Sequence, residues 1–254
     1  MTTVAAVVVS HENADEVARV LPALLRQVEE LVVVANTPAS VGDVPDDVRV
    51  VVNDKPRGFA ANVNRGVAET SADYVLSVNP DAVPRDRAVV TLRRFLDEHP
   101  RAGIAGPAMV YPDGTLQPSR RRFPTVLGTL VRRTPLRLVF DPYRLQRRHY
   151  HLGERPSEPV RADWMLAGFL MLRRSMLDEL GGFDEGFRLY GEDIDLAYRA
   201  AKAGWEAWYV PGAVVEHAHQ AVTDRKLLTQ WTLWHWRGIL RFVRKHPERL
   251  RALR

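Results

Sequence analysis

Two kinds of hydrophobic pattern alternate along the first hundred or so positions of the chain. Short, mostly apolar runs occupy residues 4–9, 31–34, 48–52, 74–78 and 103–105. Stretches with apolar residues at helical spacing lie between them, at residues 15–27, 61–69 and 86–98. Continuous apolar runs are typical of strands that are buried on both faces of a parallel sheet. The alternation therefore predicts a doubly wound, mostly parallel α/β sheet with its ligand site at the carboxyl ends of the strands.

The pattern changes in the second half of the chain. Residues 111–114 predict a turn, and residues 119–160 show such weak periodicity that we expect a variable, mobile excursion there. The remaining pattern predicts strands at 167–172 and 205–210, a helix at 192–203 and a final helix at about 224–245. No internal repeat or linker divides the chain, so we expect one domain over residues 1–222 and a C-terminal amphipathic helix within residues 223–254.

Composition excludes several classes of protein. Apolar residues make up 46% of the 254 positions and charged residues 26%, which fits neither a disordered nor a fibrous chain. The longest apolar run, residues 164–172, is well short of the roughly 20 residues that span a bilayer, and the N-terminus has no basic leader. The sequence contains no cysteine, which removes disulfides and thiolate nucleophiles. We therefore expect a cytoplasmic protein.

Positive charge is concentrated rather than spread evenly. The net charge is +5, yet residues 119–155 alone carry ten arginines against two acidic residues. Such a segment favours an anionic partner: phosphate, nucleic acid or a membrane surface. The arginines are not interleaved with aromatic residues and no recognition motif is present, so we do not expect nucleic-acid binding. The last helix places Trp231, Trp234 and Trp236 beside basic residues, a pattern of either a core-packed helix or one that docks on a membrane.

Asn79-Pro80-Asp81 directly follows the run at 74–78. A carboxylate at the carboxyl end of a strand in a doubly wound sheet points into the ligand crevice, where a divalent cation would bind it together with diphosphate oxygens. The alternative is an ordinary turn, which these residue types also favour.

Three carboxylates lie within four residues at Glu192, Asp193 and Asp195. Acidic residues in a first helical turn commonly serve as caps, but one is enough for that purpose. Clustered like charges raise each other's pKa towards values useful to a general base. Glu192 and Asp195 share a helix face and Asp193 does not, so we expect the three to differ in role.

His217 and His219 follow a short apolar run, and strand alternation would place both imidazoles on one side. A histidine in such a position is more often a packed residue than a ligand, but Asp81 would complete a His/Asp cation site. Gly58 and Gly66 match no phosphate-binding fingerprint, and Gly168 interrupts a strand, which often marks a close approach of ligand or backbone.

Taken together, these segments resemble family 2 glycosyltransferases, closest to the rhamnosyltransferase-like branch that builds bacterial cell-wall and surface polysaccharides. The resemblance extends from residue 4 to about residue 245. It is carried by NDKPRGFAANVNRGV at residues 53–67, LSVNPDAV at 76–83, GPAMVYPDGTLQPSRRRFPT at 106–125, GGFDEGFRLYGEDIDLAYRAAKAGW at 181–205 and VVEHAH at 214–219.

The resemblance implies a GT-A fold with a nucleotide-binding half over residues 1–107 and an acceptor-binding and catalytic half over residues 108–222. It implies an inverting hexosyltransferase in which Asp193 is the general base and Glu192 positions the acceptor or the base. It implies Mg²⁺ or Mn²⁺ at Asp81 with His217 or His219. The donor-binding residues it implies are Ser10, His11, Glu12, Asn36, Gly58, Asn62, Asn64, Arg65, Asn79 and Asp81. The acceptor-binding residues are Trp164, Gly168 and Glu192.

The implied partners are a dTDP-, UDP- or GDP-sugar donor, with dTDP-rhamnose favoured by the branch, and a glycan or polyprenyl-diphosphate-linked acceptor. Peripheral binding to the inner face of the plasma membrane and a homodimer remain open alternatives. The chain departs from the family at Ala35-Asn36, where relatives usually carry an Asp that helps to bind the nucleobase. A degenerate GT-A scaffold module without transferase activity is therefore the second hypothesis.

Overall fold

The computed structural model describes residues 1–124, 147, 149–218 and 230–251. Its strands are β1 (Val4–Ser10), β2 (Glu30–Ala35), β3 (Arg49–Val52), β4 (Tyr74–Val78), β5 (Ala82–Pro84), β6 (Ala102–Val110), β7 (Arg120–Arg121), β8 (Val160–Ala162), β9 (Trp164–Met165), β10 (Phe169–Arg173) and β11 (Glu206–His217). Its helices are α1 (Ala14–Leu25), α2 (Phe59–Ala68), α3 (Ala88–Glu98), α4 (Arg174–Leu180), α5 (Glu192–Lys202), α6 (Gln230–Lys245) and α7 (Glu248–Arg251).

The central sheet has the strand order β3-β2-β1-β4-β10-β6-β11-β5, and β8 pairs with β11. Strands β3, β2, β1 and β4 are mutually parallel, as are β6 and β11. β10 is antiparallel to β4 on one side and to β6 on the other. The predicted mostly parallel α/β sheet is confirmed. Its central strand β10 is antiparallel, a direction that the hydrophobic pattern does not predict.

Alternate residues of β1 enter two different cores, one on each face of the sheet. Val4, Ala6 and Val8 belong to the core that also includes residues of α1 and α3, whereas Val7 and Val9 belong to the core that includes residues of α2, α4 and α5. Every residue of β1 is buried, because helices cover both faces of the strand. The doubly wound arrangement follows directly from this two-sided burial.

Two strands are longer than their apolar runs predicted. β6 extends to Val110 instead of ending at Ala105, and β11 extends to His217 instead of ending at Val210. β11 continues through Pro211-Gly212, past the predicted end at Val210. Its register with β6 shifts between Val210 and Val214, and the pairing then continues. The predicted turn at residues 111–114 is present, and Val110 bridges Leu116 beyond it.

The two ends of the predicted excursion are part of the folded domain. β7 pairs with β9, which places Arg121 opposite Trp164, and the Arg120 guanidinium bonds the Glu154 carboxylate. This differs from the expected mobile segment, because those contacts tie the ends to the domain. Residues 125–146 and residue 148 lie outside the described residues, as do residues 224–229 at the start of the predicted last helix.

The inner face of α6 packs close to the N-terminus of α5. Lys245 bonds both Asp184, at 2.7 Å, and Asp195, at 2.9 Å, and Arg241 bonds Asp184 at 2.7 Å. A Cβ on Gly238 would overlap the Tyr190 carbonyl oxygen. Within the described part of the chain, no helix combines the length and the apolar character that crossing a bilayer requires.

Candidate active site

The turn after β4 brings Asp81 to the end of β11. The Asn79 N–H donates to the Gly168 carbonyl at 2.8 Å, and the chain then turns into β5, which pairs Ala82 with His217. The Ala218 N–H donates to the Asp81 carbonyl at 3.1 Å, and the Asp81 Oδ1 lies 3.4 Å from His217 Nε2. Residues separated by more than 130 positions in the sequence thus meet at one edge of the sheet.

His217 is buried and its other ring nitrogen bonds Gln117. The Nδ1 atom lies 2.9 Å from Gln117 Oε1, and Gln117 Nε2 donates to the His217 carbonyl at 2.6 Å. Gln117 is itself 4% exposed. Sequence reasoning did not single out this residue, since a glutamine after a turn carries no signal for a partner a hundred positions away.

The Asp81 and His217 pair fits two ligands of a divalent cation. An octahedral ion with ligands at about 2.0–2.1 Å places neighbouring donor atoms about 3 Å apart, close to the observed 3.4 Å. The described residues hold no cluster of three or more His, Cys, Asp or Glu side chains suited to a metal, so the pair would need diphosphate oxygens or water to complete the shell. His219 lies outside the described residues.

The acidic segment begins α5 after two residues with positive φ. Tyr190 has φ 70° and Gly191 has φ 103°, a conformation that favours glycine at the second position. Glu192 is buried, Asp193 is half-buried and Asp195 is fully buried. This abrupt entry brings all three carboxylates to the first turn of the helix in different environments.

Burial raises the pKa of Glu192 above its ordinary range, and the neighbouring Asp193 charge raises it further. Glu192 Oε2 is buried and forms no hydrogen bond to any described residue. Burial also raises the pKa of Asp193, partly opposed by the Ile194 N–H, which donates to Oδ1 at 2.9 Å, and by the Arg121 guanidinium. Near neutral pH the pair therefore favours a protonated Glu192 beside an ionised Asp193.

Arg121 is a second residue near the acidic pair that sequence reasoning did not assign. Its guanidinium carbon lies 4.7 Å from the Tyr150 ring centre and 5.1 Å from the Trp164 ring centre. The pairing of β7 with β9 brings it there, and no local sequence signal indicates that pairing. This guanidinium, in contact with two aromatic rings, supplies positive charge near Asp193.

Asp195 bonds side chains that connect α5 to the C-terminal segment. Its carboxylate bonds Arg199 at 2.7 Å, Lys245 at 2.9 Å and His246 at 2.8 Å. All of its partners are cationic or titratable groups of α5 and the C-terminal segment. Asp195 therefore holds α6 against α5, and the different roles of the three carboxylates stay a prediction.

Asparagine side chains form a hydrogen-bond network at the loop between β3 and α2, where donor binding is predicted. Asn53 Nδ2 donates to Asn36 Oδ1 at 2.8 Å and to Asn62 Oδ1 at 2.6 Å, and Arg65 donates to Asn53 Oδ1. Asn36 also accepts from the Arg57 N–H at 2.7 Å. The network fixes the loop between β3 and α2, with Asn36 directly after the buried Ala35 that departs from the family pattern.

Ser40 bonds both the last residue of β1 and the loop that follows it. The Ser10 hydroxyl is buried and donates to the Ser40 carbonyl at 2.6 Å, and the Glu12 N–H donates to Ser40 Oγ at 3.0 Å. His11 and Glu12 are exposed at the end of the strand, and Glu12 has φ 61°. The His11 Nδ1 atom lies 3.2 Å from Asn36 Nδ2, and contact of His11 and Glu12 with the donor stays a prediction.

Several predicted site residues have contacts that account for them structurally. Asn64 bonds the Phe183 backbone in both directions, at 2.8 and 2.9 Å, and a Cβ on Gly58 would lie 2.7 Å from the Arg188 carbonyl oxygen. The Trp164 indole is buried and donates to the Arg122 carbonyl at 2.7 Å. Whether these three contact donor or acceptor stays a prediction. Gly168 does lie at the site, where a Cβ would be 3.1 Å from Asn79 Nδ2 and 3.6 Å from His217 Nε2.

Comparison with known proteins identifies a family. Residues 2–233 match the model described as "Glycosyltransferase like family 2". The chain is 32% identical over 209 residues to the N-acetylglucosaminyl-diphospho-decaprenol L-rhamnosyltransferase of Mycobacterium tuberculosis strain H37Rv, covering 74% of this chain and 64% of that protein. It is 26% identical over 196 residues to the rhamnosyltransferase WbbL of Escherichia coli K12, covering 73% of this chain and 70% of that protein. The chain thus spans less than two thirds of the mycobacterial relative.

Solved structures agree at the level of the fold. GalNAc-T7 with UDP, GalNAc and Mn²⁺ superposes with a TM-score of 0.68 at 15% identity, over 96% of this chain and 48% of that one. The mannosyltransferase PcManGT of Pyrobaculum calidifontis, in complex with GDP-Man and Mn²⁺, has a TM-score of 0.62 at 17% identity, over 96% and 64% of the two chains. The chain belongs to glycosyltransferase family 2, is similar in sequence to rhamnosyltransferases, and has the GT-A fold.

Proposed function

We propose that this chain is an inverting glycosyltransferase that moves a sugar from a nucleoside-diphosphate donor to a hydroxyl of a glycan or polyprenyl-diphosphate-linked acceptor. The observation that carries the proposal is the half-buried Asp193, which lies beside a buried carboxyl group and the Arg121 guanidinium. Membership of the family and the names of the relatives support the reaction class. L-rhamnose from dTDP-rhamnose is the proposed donor, supported by those names alone.

Asp193 serves as the general base. As the acceptor hydroxyl attacks the anomeric carbon, its proton passes to an Asp193 carboxylate oxygen and the new C–O bond forms. The bond from the anomeric carbon to the diphosphate oxygen breaks, and the nucleoside diphosphate leaves with that electron pair. Attack and departure take place on opposite faces in a single displacement, so the configuration inverts. No covalent intermediate with the protein is required.

Glu192 has a supporting role. Because its pKa is raised, it stays protonated at neutral pH and can donate a hydrogen bond. A neutral neighbour leaves Asp193 as the ionised member of the pair. We propose that Glu192 orients the acceptor hydroxyl or the base, and that it does not itself take the proton.

Asp81 and His217 would hold Mg²⁺ or Mn²⁺ together with the donor diphosphate. When bound there, the cation neutralises the charge that develops on the leaving diphosphate. The two neighbours with the same fold were solved with Mn²⁺ and a nucleotide or nucleotide sugar, which supports a divalent ion of this kind. Asn79 and Gly168 shape the wall beside the pair, since the spacing leaves little room for a larger side chain at Gly168.

The outer face of α6 is proposed to rest on the anionic inner surface of the plasma membrane, where lipid-linked acceptors would be displayed. Leu233 and Leu240 are 51% and 48% exposed, and the exposed Arg237 and Arg244 lie on the same helical stripe. Exposed leucines flanked by arginines suit an interface between apolar chains and anionic headgroups.

The decisive test replaces the base. Asp193→Asn should lower kcat by about 10²–10⁴-fold, because it removes the proton acceptor while preserving the shape of the side chain. Binding of the donor nucleotide, measured by calorimetric titration with dTDP, UDP and GDP with and without Mg²⁺ or Mn²⁺, should be unchanged. Asp178→Asn, at an exposed position of α4, is the matched control and should transfer at the wild-type rate.

The same titration separates the two functional hypotheses. Metal-dependent binding of one nucleotide by the wild-type protein supports the transferase and identifies the nucleotide class. Failure to bind all three nucleotides would favour the scaffold module, with Ala35 as the reason for the lost affinity. Full transfer activity in Asp193→Asn would remove the assignment of the base.

A further inference from the structure

The imidazole of His217 is held from the side opposite to Asp81. Its Nε2 atom lies 3.4 Å from Asp81 Oδ1, and its Nδ1 atom lies 2.9 Å from Gln117 Oε1. The two ring nitrogens therefore have different neighbours. One faces the proposed cation site, and the other faces a buried amide.

The orientation of the Gln117 amide follows from its second contact. The group 2.6 Å from the amide is the His217 backbone carbonyl, which can only accept a hydrogen bond. The amide nitrogen must face that carbonyl, so the amide oxygen must face His217 Nδ1. The Gln117 N–H, which donates to the Met109 carbonyl at 2.8 Å, anchors the residue from the backbone side.

The orientation of the amide in turn determines the tautomer of the ring. An amide oxygen can only accept, so Nδ1 must carry the proton to form the 2.9 Å hydrogen bond. In the neutral ring, the Nε2 lone pair then points to the Asp81 side. The opposite tautomer would set two lone pairs against each other at Gln117 and would place a hydrogen where a cation must bind.

We propose that Gln117 is a positioning residue that holds His217 in the Nδ1–H tautomer, so that Nε2 can coordinate the donor-bound divalent cation. The inference rests on the proposed function in so far as that function places a cation at Asp81 and His217. Histidine ligands commonly donate their second ring N–H to a fixed acceptor, and removing that acceptor typically weakens metal binding by about 10–100-fold.

The tautomer can be measured directly on the wild-type protein. Long-range ¹H–¹⁵N correlation spectra, with His217 assigned by comparison with His217→Gln, report which ring nitrogen carries the proton. We expect the proton on Nδ1 in the metal-free protein. A proton on Nε2 alone would overturn the proposal, and this readout requires no donor, acceptor or activity.

The second measurement is the affinity for Mn²⁺. Gln117→Met keeps the length of the side chain but removes the acceptor, and it should weaken Mn²⁺ binding by about 10–100-fold in electron paramagnetic resonance titrations with saturating nucleoside diphosphate. Gln117→Glu retains an oxygen that faces Nδ1 and should recover part of that loss. Gln27→Met is the control, because the Gln27 amide also donates to backbone carbonyls, those of Ala23 and Arg85, but lies just after the end of α1.

The outcomes separate this inference from the proposed function. If a folded Gln117→Met variant binds Mn²⁺ as tightly as the wild type does, the proposed role of Gln117 is wrong, but the proposed cation site is not affected. Wild-type protein that binds no Mn²⁺ would overturn the cation site itself. If Gln117→Met does not fold, the spectrum of the wild-type ring still decides between the two tautomers.

Discussion

Neighbouring carboxylates of one short segment lie in different surroundings. Asp195 bonds Arg199, Lys245 and His246, whereas Glu192 is buried with one oxygen that bonds no described residue. Burial without a cation favours the protonated carboxyl, so a proton is bound more tightly by the folded protein than by the unfolded chain. Burial of Glu192 therefore lowers the free energy of unfolding at pH values where the unfolded chain is ionised.

This difference predicts how stability depends on pH. Below the ordinary glutamate pKa both states are protonated, and the burial of Glu192 costs little. As pH rises, the unfolded chain ionises first, so the free energy of unfolding falls until the raised pKa of the folded protein is passed. Each unit of upward pKa shift costs about 1.4 kcal/mol of stability at high pH.

Glu192→Gln should abolish that loss and should be more stable than wild type at alkaline pH, with little difference at acid pH. Urea unfolding of both proteins across the pH range measures the effect. Glu158→Gln removes a carboxyl from an exposed position and should follow the wild-type curve. Parallel curves for wild type and Glu192→Gln would contradict the raised pKa.

At the scale of elements, the position of α6 is set by a close approach of two backbones. Gly238 lies against the Tyr190 carbonyl, next to the residues that start α5. In an isolated helix, replacing glycine by alanine stabilises by up to about 1 kcal/mol. Here the added Cβ would overlap a backbone oxygen, which cannot move aside as a flexible side chain would. Helix propensity therefore predicts that Gly238→Ala stabilises the protein, whereas packing predicts that it destabilises the protein.

We expect Gly238→Ala to lower the thermal midpoint and to weaken the contact of α6 with the start of α5. Differential scanning calorimetry measures the change. Gly42→Ala is the control, because nothing lies within 4 Å of its Cβ position and its φ is not positive, so it should be neutral or slightly stabilising. A stabilised Gly238→Ala protein would show that α6 is not packed as described.

Elements whose signal is local were the ones that the sequence predicted well. β4 has the predicted bounds, Tyr74–Val78, and β1 and α3 differ from their predictions by at most two residues at either end. The direction of β10 and the full length of β11 depend on pairing between distant segments, which periodicity does not encode. The candidate site shows the same division. Local motifs predict Asp81 and Asp193, and their roles stay a prediction. The position of Gln117 depends on its contact with His217, and that of Arg121 on the pairing of β7 with β9.

At the scale of the whole molecule, the exposed apolar residues are unevenly distributed. Among the described residues, the large exposed hydrophobic side chains are Met1, Val52, Val90, Leu233 and Leu240. Only the last two share a helix, and arginines flank them there. A surface of that kind would set the orientation of the domain on a membrane, with α6 below and the packed start of α5 directly above it.

Binding to vesicles that contain phosphatidylglycerol should therefore depend on α6 and on salt. Leu233→Ser with Leu240→Ser should reduce binding in flotation assays, and Arg237→Gln with Arg244→Gln should reduce it by about 5-fold for each arginine, from about 1 kcal/mol per charge. Val52→Ser with Val90→Ser is the control and should bind as wild type does. Equal binding of all variants, or no binding at low salt, would contradict the membrane surface.

The strand order has a consequence for the order in which this protein forms during synthesis. Strands β1 to β4 lie within the first 78 residues and are neighbours in the order β3-β2-β1-β4. β10, which is much later in the chain, pairs with the other side of β4. Asp81 emerges early, whereas its partner His217 ends β11, which pairs with β6 and β5. The Asp81–His217 pair that is proposed to hold the cation can therefore form only after β11, the last strand of the sheet, has been synthesised.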